Sequence, residues 1–118
     1  MMERIKVIET LVCACPNLKK EIDEYYNDFS EYHLHLIFGD VFNPYFLNLL
    51  EDIQINNIQL LKISHLLEMM AKSCEYVQEV VVTTVLERLA DDPLKLNQFK
   101  LFAGKTTLKF IQKIEGLQ

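Results

Sequence analysis

Apolar side chains recur at helical spacing along nearly the whole chain. Ile5, Ile8, Val12 and Cys15 form a first stripe. Leu18, Ile22, Tyr25, Tyr26 and Phe29 form a second, at i, i+4, i+7, i+8 and i+11. Pro16 stands between them where the first position of a helix belongs, because its missing N–H has no partner to lose there. Ser30 is placed to cap a third helix whose inner face is Leu34, Ile37, Phe38 and Val41. Gly39 and Asp40 interrupt that helix by propensity. Asn43-Pro44 reads as a fresh start: Asn43 accepts from an orphan N–H, Pro44 pre-sets the backbone, and Tyr45, Leu49 and Leu50 carry the pattern on.

Asn56 or Asn57 can cap the next helix. Its inner seam is Leu60, Ile63, Leu67, Met70 and Cys74, spaced 3-4-3-4 as in packed helix pairs. Lys62, His65, Glu68 and Lys72 fall on the other side, with Glu68 and Lys72 in the favourable i,i+4 order. The run Val80-Val81-Val82-Thr83-Thr84-Val85 favours a strand by propensity, being β-branched throughout. Yet the apolar pattern continues from Tyr76 to Leu89 without turn residues before Asp91-Asp92-Pro93, and that length predicts a buried helix. A short helix follows Pro93 and ends near Gly104, with Thr106 placed to start the next. The last helix turns Thr107, Phe110, Ile111 and Ile114 inward and aligns Lys105, Lys109 and Lys113 outside. The sum is about seven helices and no strand, an all-α chain. It is expected to form a single domain over residues 1–118, either an irregular helical bundle or a short HEAT-like stack of antiparallel helix pairs.

Composition narrows the class. Half of the 118 residues are apolar, which excludes a disordered chain; 3 Gly and 3 Pro exclude a collagen-like one. The net charge of -5 denies the chain the dominant basic field of a generic nucleic-acid binder. The charge is uneven. Residues 1–59 hold 4 basic and 10 acidic side chains, a net of -6; residues 60–118 hold 8 and 7, a net of +1. The acidic excess peaks in Glu21, Asp23, Glu24, Asp28 and Glu31. Three cysteines are too few and too odd for a disulfide framework, and fit a reducing cytoplasm. Arg4 and Lys6 precede an apolar run at residues 11–15, but Glu3 and Glu9 break it up, which argues against a signal segment. No apolar run reaches the roughly 18 residues of a membrane span.

Candidate chemistry is sparse. Cys13 and Cys15 with His33 and His35 suggest a zinc or copper set, but X-x-X spacing on a helix places each pair about 200° apart, so neither chelates one ion. Ala103-Gly104-Lys105-Thr106-Thr107 echoes the end of a phosphate-binding loop; the required earlier glycine is Phe99 here, and no strand precedes it. Cys74 lies on the apolar seam and His65 on the opposite side of the same helix, so they form no nucleophile–base pair. Glu51-Asp52 and Asp91-Asp92 suit helix ends and turns. No metal, cofactor or catalytic residue is expected, and the chain is not expected to be an enzyme. The C-terminal lysine row lacks arginines and interleaved aromatics, so neither nucleic acid nor membrane is the expected partner.

Residues 33–50, HLHLIFGDVFNPYFLNLL, carry one resemblance. The order Phe38-Gly39-Asp40-Val41, Asn43-Pro44-Tyr45 and then a leucine-rich helix resembles a family of small all-helical bacterial proteins of uncharacterised function. Some of those look like immunity proteins encoded beside toxins. Residues 81–89 and 103–115 are similar to the later parts of such proteins. In physical terms the motif reads as a helix junction: Gly39 permits close packing, Asp40 bonds backbone N–H groups, Asn43 caps, and Phe38, Phe42 and Tyr45 fill the corner. The resemblance implies a cytoplasmic, non-enzymatic protein-binding module, in its sharpest form an immunity protein that blocks a cognate toxin. The expected partner surface is the acidic, aromatic second helix: Glu21, Asp23, Glu24, Tyr25, Asp28 and Tyr32. The alternatives are a structural or adaptor domain acting as a homodimer, and a binder of small ligands between helices.

Overall fold

Seven helical stretches and no strand make up the described residues of the computed structural model, 3–29 and 32–116, with backbone alone described for 27–29. Helix α1 is Arg4–Ala14, and α2 covers 16–29, opening on the 3-10 turn Pro16–Leu18 with Pro16 at its first position. Helix α3 covers 34–49, α4 is Asn57–Ala71, α5 covers 75–89, α6 is Pro93–Phe99 and α7 is Lys105–Gly116. The stripe of α1 is Val7, Ile8, Leu11 and Cys15, while Ile5 is 60% exposed and leaves the stripe expected for it. The capping role expected of Ser30 lies outside the described residues.

Helix α4 is the hub. Leu60, Ile63, Leu66, Leu67 and Met70 are fully or almost fully buried, and α1, α5 and α7 pack around it. Because α7 lies chiefly on α4 and α5, the chain is an irregular bundle about one helix. One apolar cluster draws on all seven helices, and the radius of gyration is 13.4 Å, near the roughly 13.5 Å of a folded chain this long. A row of rings ties α3 to α6: Phe38–Phe42, Phe42–Phe46 and Phe46–Phe99 each stand 5.1 Å apart between centroids.

Two segments are π-helical, Phe38–Phe42 in α3 and Val80–Leu86 in α5, and they face each other. Each carries the wide i→i+5 bond: Asn43 N–H donates to the Phe38 carbonyl, and Glu87 N–H to the Val82 carbonyl. The wide turn explains how Thr84, Val85 and Leu86 are all buried, three in succession, which an ordinary helix would spread over about 200°. The valine-threonine run is therefore helical, as its length predicts. The interruption expected at Gly39-Asp40 is absorbed by the π turn, and α3 runs on through Asn43.

The expected caps are largely replaced. Asn43 is helical, only 5% exposed, and donates from Nδ2 to the Thr84 carbonyl (2.8 Å). Asn56 donates to the Leu49 carbonyl. Cys74 ends no seam; it is the residue before α5, beyond the end of α4. Gln59 Nε2 donates to the Ala14 carbonyl (2.6 Å), closing the C-terminal end of α1 from α4.

Candidate functional site

The exposed ridge of α1 separates two grooves, and Cys13 lines both. The first, about 400 Å³, lies between α1, α2 and the chain entering α3; Ile8, Glu9, Val12, Lys19, Asp23 and Tyr32 form its walls. The apolar floor comes from α1; the charge comes from Glu9 of α1 and from Lys19 and Asp23 of α2. Lys19 Nζ and Asp23 Oδ2 are 2.7 Å apart, and this hydrogen bond to Asp23, with its charge, holds the Lys19 ammonium above its ordinary value.

The sequence-derived candidates divide here. Asp23 and Tyr32 reach the groove together, and the Tyr26 and Tyr32 rings meet at 4.7 Å. Glu21 and Glu24 are exposed on the outer side of α2. Tyr25 is half-buried and donates its hydroxyl to Asp40 (2.9 Å), binding α2 to α3. The Asp28 side chain lies outside the described residues.

The second groove, about 490 Å³, runs between α1 and α4 and is lined by Thr10, Ala14, Leu61, Lys62, His65 and Leu66 besides Cys13. Sequence reasoning treated this side of α4 as simply polar. The overlooked signal is the apolar run Ile58, Leu61 and Met69, which makes α4 hydrophobic on nearly every side. Among the described residues no hydrogen bond joins Cys13 to His65. Cys15 points inward, and burial pushes its thiol up to about 11, against a smaller opposing effect of Gln59 and Lys62.

The motif at residues 33–50 is built into the junction of α3 with α5. Arg88 Nη1 donates to the Gly39 carbonyl (3.3 Å), and a Cβ on Gly39 would stand 2.9 Å from that nitrogen, so glycine makes room for the guanidinium. Asp40 serves Tyr25 rather than backbone N–H groups. His35 Nδ1 bonds the Thr84 hydroxyl, and its ring meets Tyr76 edge-on. These are interhelical contacts: Gly39, Asp40, His35 and Asn43 of the motif each bond to another helix. A family model for a domain of unknown function, DUF7674, matches residues 8–117. The chain belongs to the DUF7674 family. No curated protein and no solved structure matches it. The DUF7674 span runs from within α1 to the end of α7, so both grooves and the α3–α5 junction are features within it.

At the phosphate-loop echo, the N-terminal turn of α7 is already filled by Glu68. Its Oε2 accepts from Thr106 N–H (3.0 Å) and its Oε1 from Thr107 N–H and the Thr107 hydroxyl (2.9 Å each). Burial alone would raise this carboxyl, but the backbone bonds from Thr107 and Thr106, with the threonine hydroxyls, outweigh it and hold it at about 2. The anion that this turn attracts is therefore the protein's own. Lys105, Lys109 and Lys113 are exposed on α7. No helix among the described residues is long and apolar enough to cross a membrane.

Proposed function

We propose that this chain is a non-enzymatic protein-binding module that captures a basic protein partner on the α1–α2 surface. The observation that carries the reading is the meeting of Asp23, paired with Lys19, and Tyr32 with Ile8, Glu9 and Val12 in one groove, while Glu21 and Glu24 stand exposed on the outer side of the same helix. An aromatic and apolar centre with charge around it is the composition of tight interfaces. Acidic side chains concentrated in the N-terminal half draw a cationic partner over a Debye length or so. The sharpest form of the proposal follows the resemblance of residues 33–50: an immunity protein that covers the active site of a cognate bacterial toxin, working in the cytoplasm.

The test is kinetic. A partner recovered with the chain is bound to the protein and to a variant carrying Glu21→Lys, Asp23→Lys and Glu24→Lys. Association of the variant is expected to be slower by roughly tenfold or more at low salt, with the gap closing as salt rises. Equal association rates at low salt remove the acidic surface from the interface.

A further inference from the structure

The α1–α2 groove joins three kinds of surface in about 400 Å³: aliphatic Ile8 and Val12, the ring of Tyr32, and a carboxylate from each of two helices, Glu9 on α1 and Asp23 on α2. A space of that size is small for a folded element and ample for one long side chain. We propose that the groove is a socket for one arginine side chain of the partner, its stem on Ile8 and Val12 and its guanidinium beside Tyr32, between Glu9 and Asp23. The inference rests on the α1–α2 reading above and names the group that this surface receives.

Two observations select that occupant. The first is that the chain already places a stand-in there. Lys19, another residue of the groove wall, sets its ammonium 2.7 Å from Asp23 Oδ2. The groove therefore accepts a cation carried on a flexible alkyl chain. Both members of that pair are widely exposed, 63% and 47%, and such a bridge is weak, so an incoming cation displaces it at little cost. The second is what Lys19 leaves over. Glu9 has no ion pair among the described residues, so two carboxylates face one ammonium and the groove keeps a negative charge. An ammonium is a point charge and serves one carboxylate here. A planar guanidinium with five donors in a fork can serve both. It also stacks on an aromatic ring, and Tyr32 is braced by the Tyr26 ring, 4.7 Å away. A lysine from the partner would only repeat what Lys19 supplies, so arginine is the residue selected.

End-capped arginine, lysine and citrulline, the last a neutral isostere of arginine, are titrated into the full chain at matched ionic strength up to about 100 mM, well above the millimolar dissociation constant of a contact this small. Methyl and aromatic NMR signals read the outcome. The arginine probe is expected to shift Ile8, Val12 and Tyr32 along saturating curves, with lysine several-fold weaker and citrulline without effect. Glu9→Gln with Asp23→Asn is expected to weaken arginine roughly tenfold or more. Tyr32→Leu is expected to erase its advantage over lysine. Lys19→Met, which keeps the stem and removes the competing charge, is expected to tighten arginine several-fold. None of these side chains is buried, so the variants are expected to keep the helical spectrum. Unmoved groove signals overturn the proposal, as do shifts that citrulline reproduces or that survive the loss of both carboxylates. If the groove ignores arginine while Glu21→Lys, Asp23→Lys and Glu24→Lys still slow partner association, the acidic surface stands and the socket falls. If arginine binds as described and association is unchanged by those substitutions, the socket stands and the partner reading falls.

Discussion

Helices α6 and α7 begin in the same chemical situation and solve it from opposite directions. Each must satisfy first-turn N–H groups that have no partner within the helix. At α6 the answer is local: Asp92 Oδ1 accepts from Lys95 N–H (3.2 Å), three residues on. At α7 the answer arrives from α4, where Glu68 reaches across 38 and 39 residues of sequence to Thr106 and Thr107. The local cap stabilises one helix. The distant one also fixes where that helix sits on the hub, because the carboxylate and the turn it fills must meet. Gly104 is the condition for the meeting, since a Cβ there would stand 2.5 Å from the Glu68 carboxyl carbon. A cap from the same helix positions nothing, whereas a cap from a neighbour acts as a docking contact.

That contrast can be broken at several points. Glu68→Ala should have the largest effect, about 2–3 kcal/mol of stability, because it leaves buried donors unpaired at the α4–α7 seam. Hydrogen exchange should show α7 opening ahead of the rest of the bundle. The same carboxylate sets an acid limb. Its pKa is lower in the folded chain than the ordinary 4.5, so its contribution is whole above about 4.5 and is lost as pH falls toward about 2. Denaturant titrations across that window should show the loss in the protein and a flatter profile in Glu68→Gln, which keeps an acceptor and gives up the charge. Gly104→Ala should cost less, about 1–2 kcal/mol, by pushing Glu68 off its donors. Measured in the Glu68→Ala background, the same substitution should cost almost nothing, and additive losses would mean that the glycine serves something other than the cap. Asp92→Ala should have the smallest effect, about 1 kcal/mol, with exchange faster at α6 and unaltered at α7.

Much of the bundle was legible in the apolar spacing. The inner faces of α3 and α4 came out as read: Leu34, Ile37, Phe38 and Val41 are buried, and so are Leu60, Ile63, Leu67 and Met70. The valine-threonine run is helical, as its length predicts, because length outweighs local β propensity once the flanks are helical. Side-chain roles were less legible. Asn43 looked like a cap and is a crosslink to Thr84, because α3 does not stop where glycine and proline suggest. Glu68 looked like a solvent-facing partner of Lys72. That pair exists at 3.6 Å, but the carboxylate is mostly covered and its main bonds are to α7. Of the candidate partner-surface residues, Asp23 and Tyr32 converge on a groove, while Tyr25 is drawn away by Asp40.

The order of apolar and polar residues determined on its own that this chain is helical, where most helices begin and end, and which side of each turns inward. Those properties are local: they depend on a period of 3.6 residues and on turn chemistry within a few positions. Only the tertiary structure decided that α4 is the hub, that two π turns face each other across the α3–α5 seam, and that α1 stands between two grooves. It also decided that the turn resembling a phosphate site holds the chain's own carboxylate. These outcomes depend on which helix lies beside which, and a side chain's reach across forty residues of sequence leaves no periodic trace.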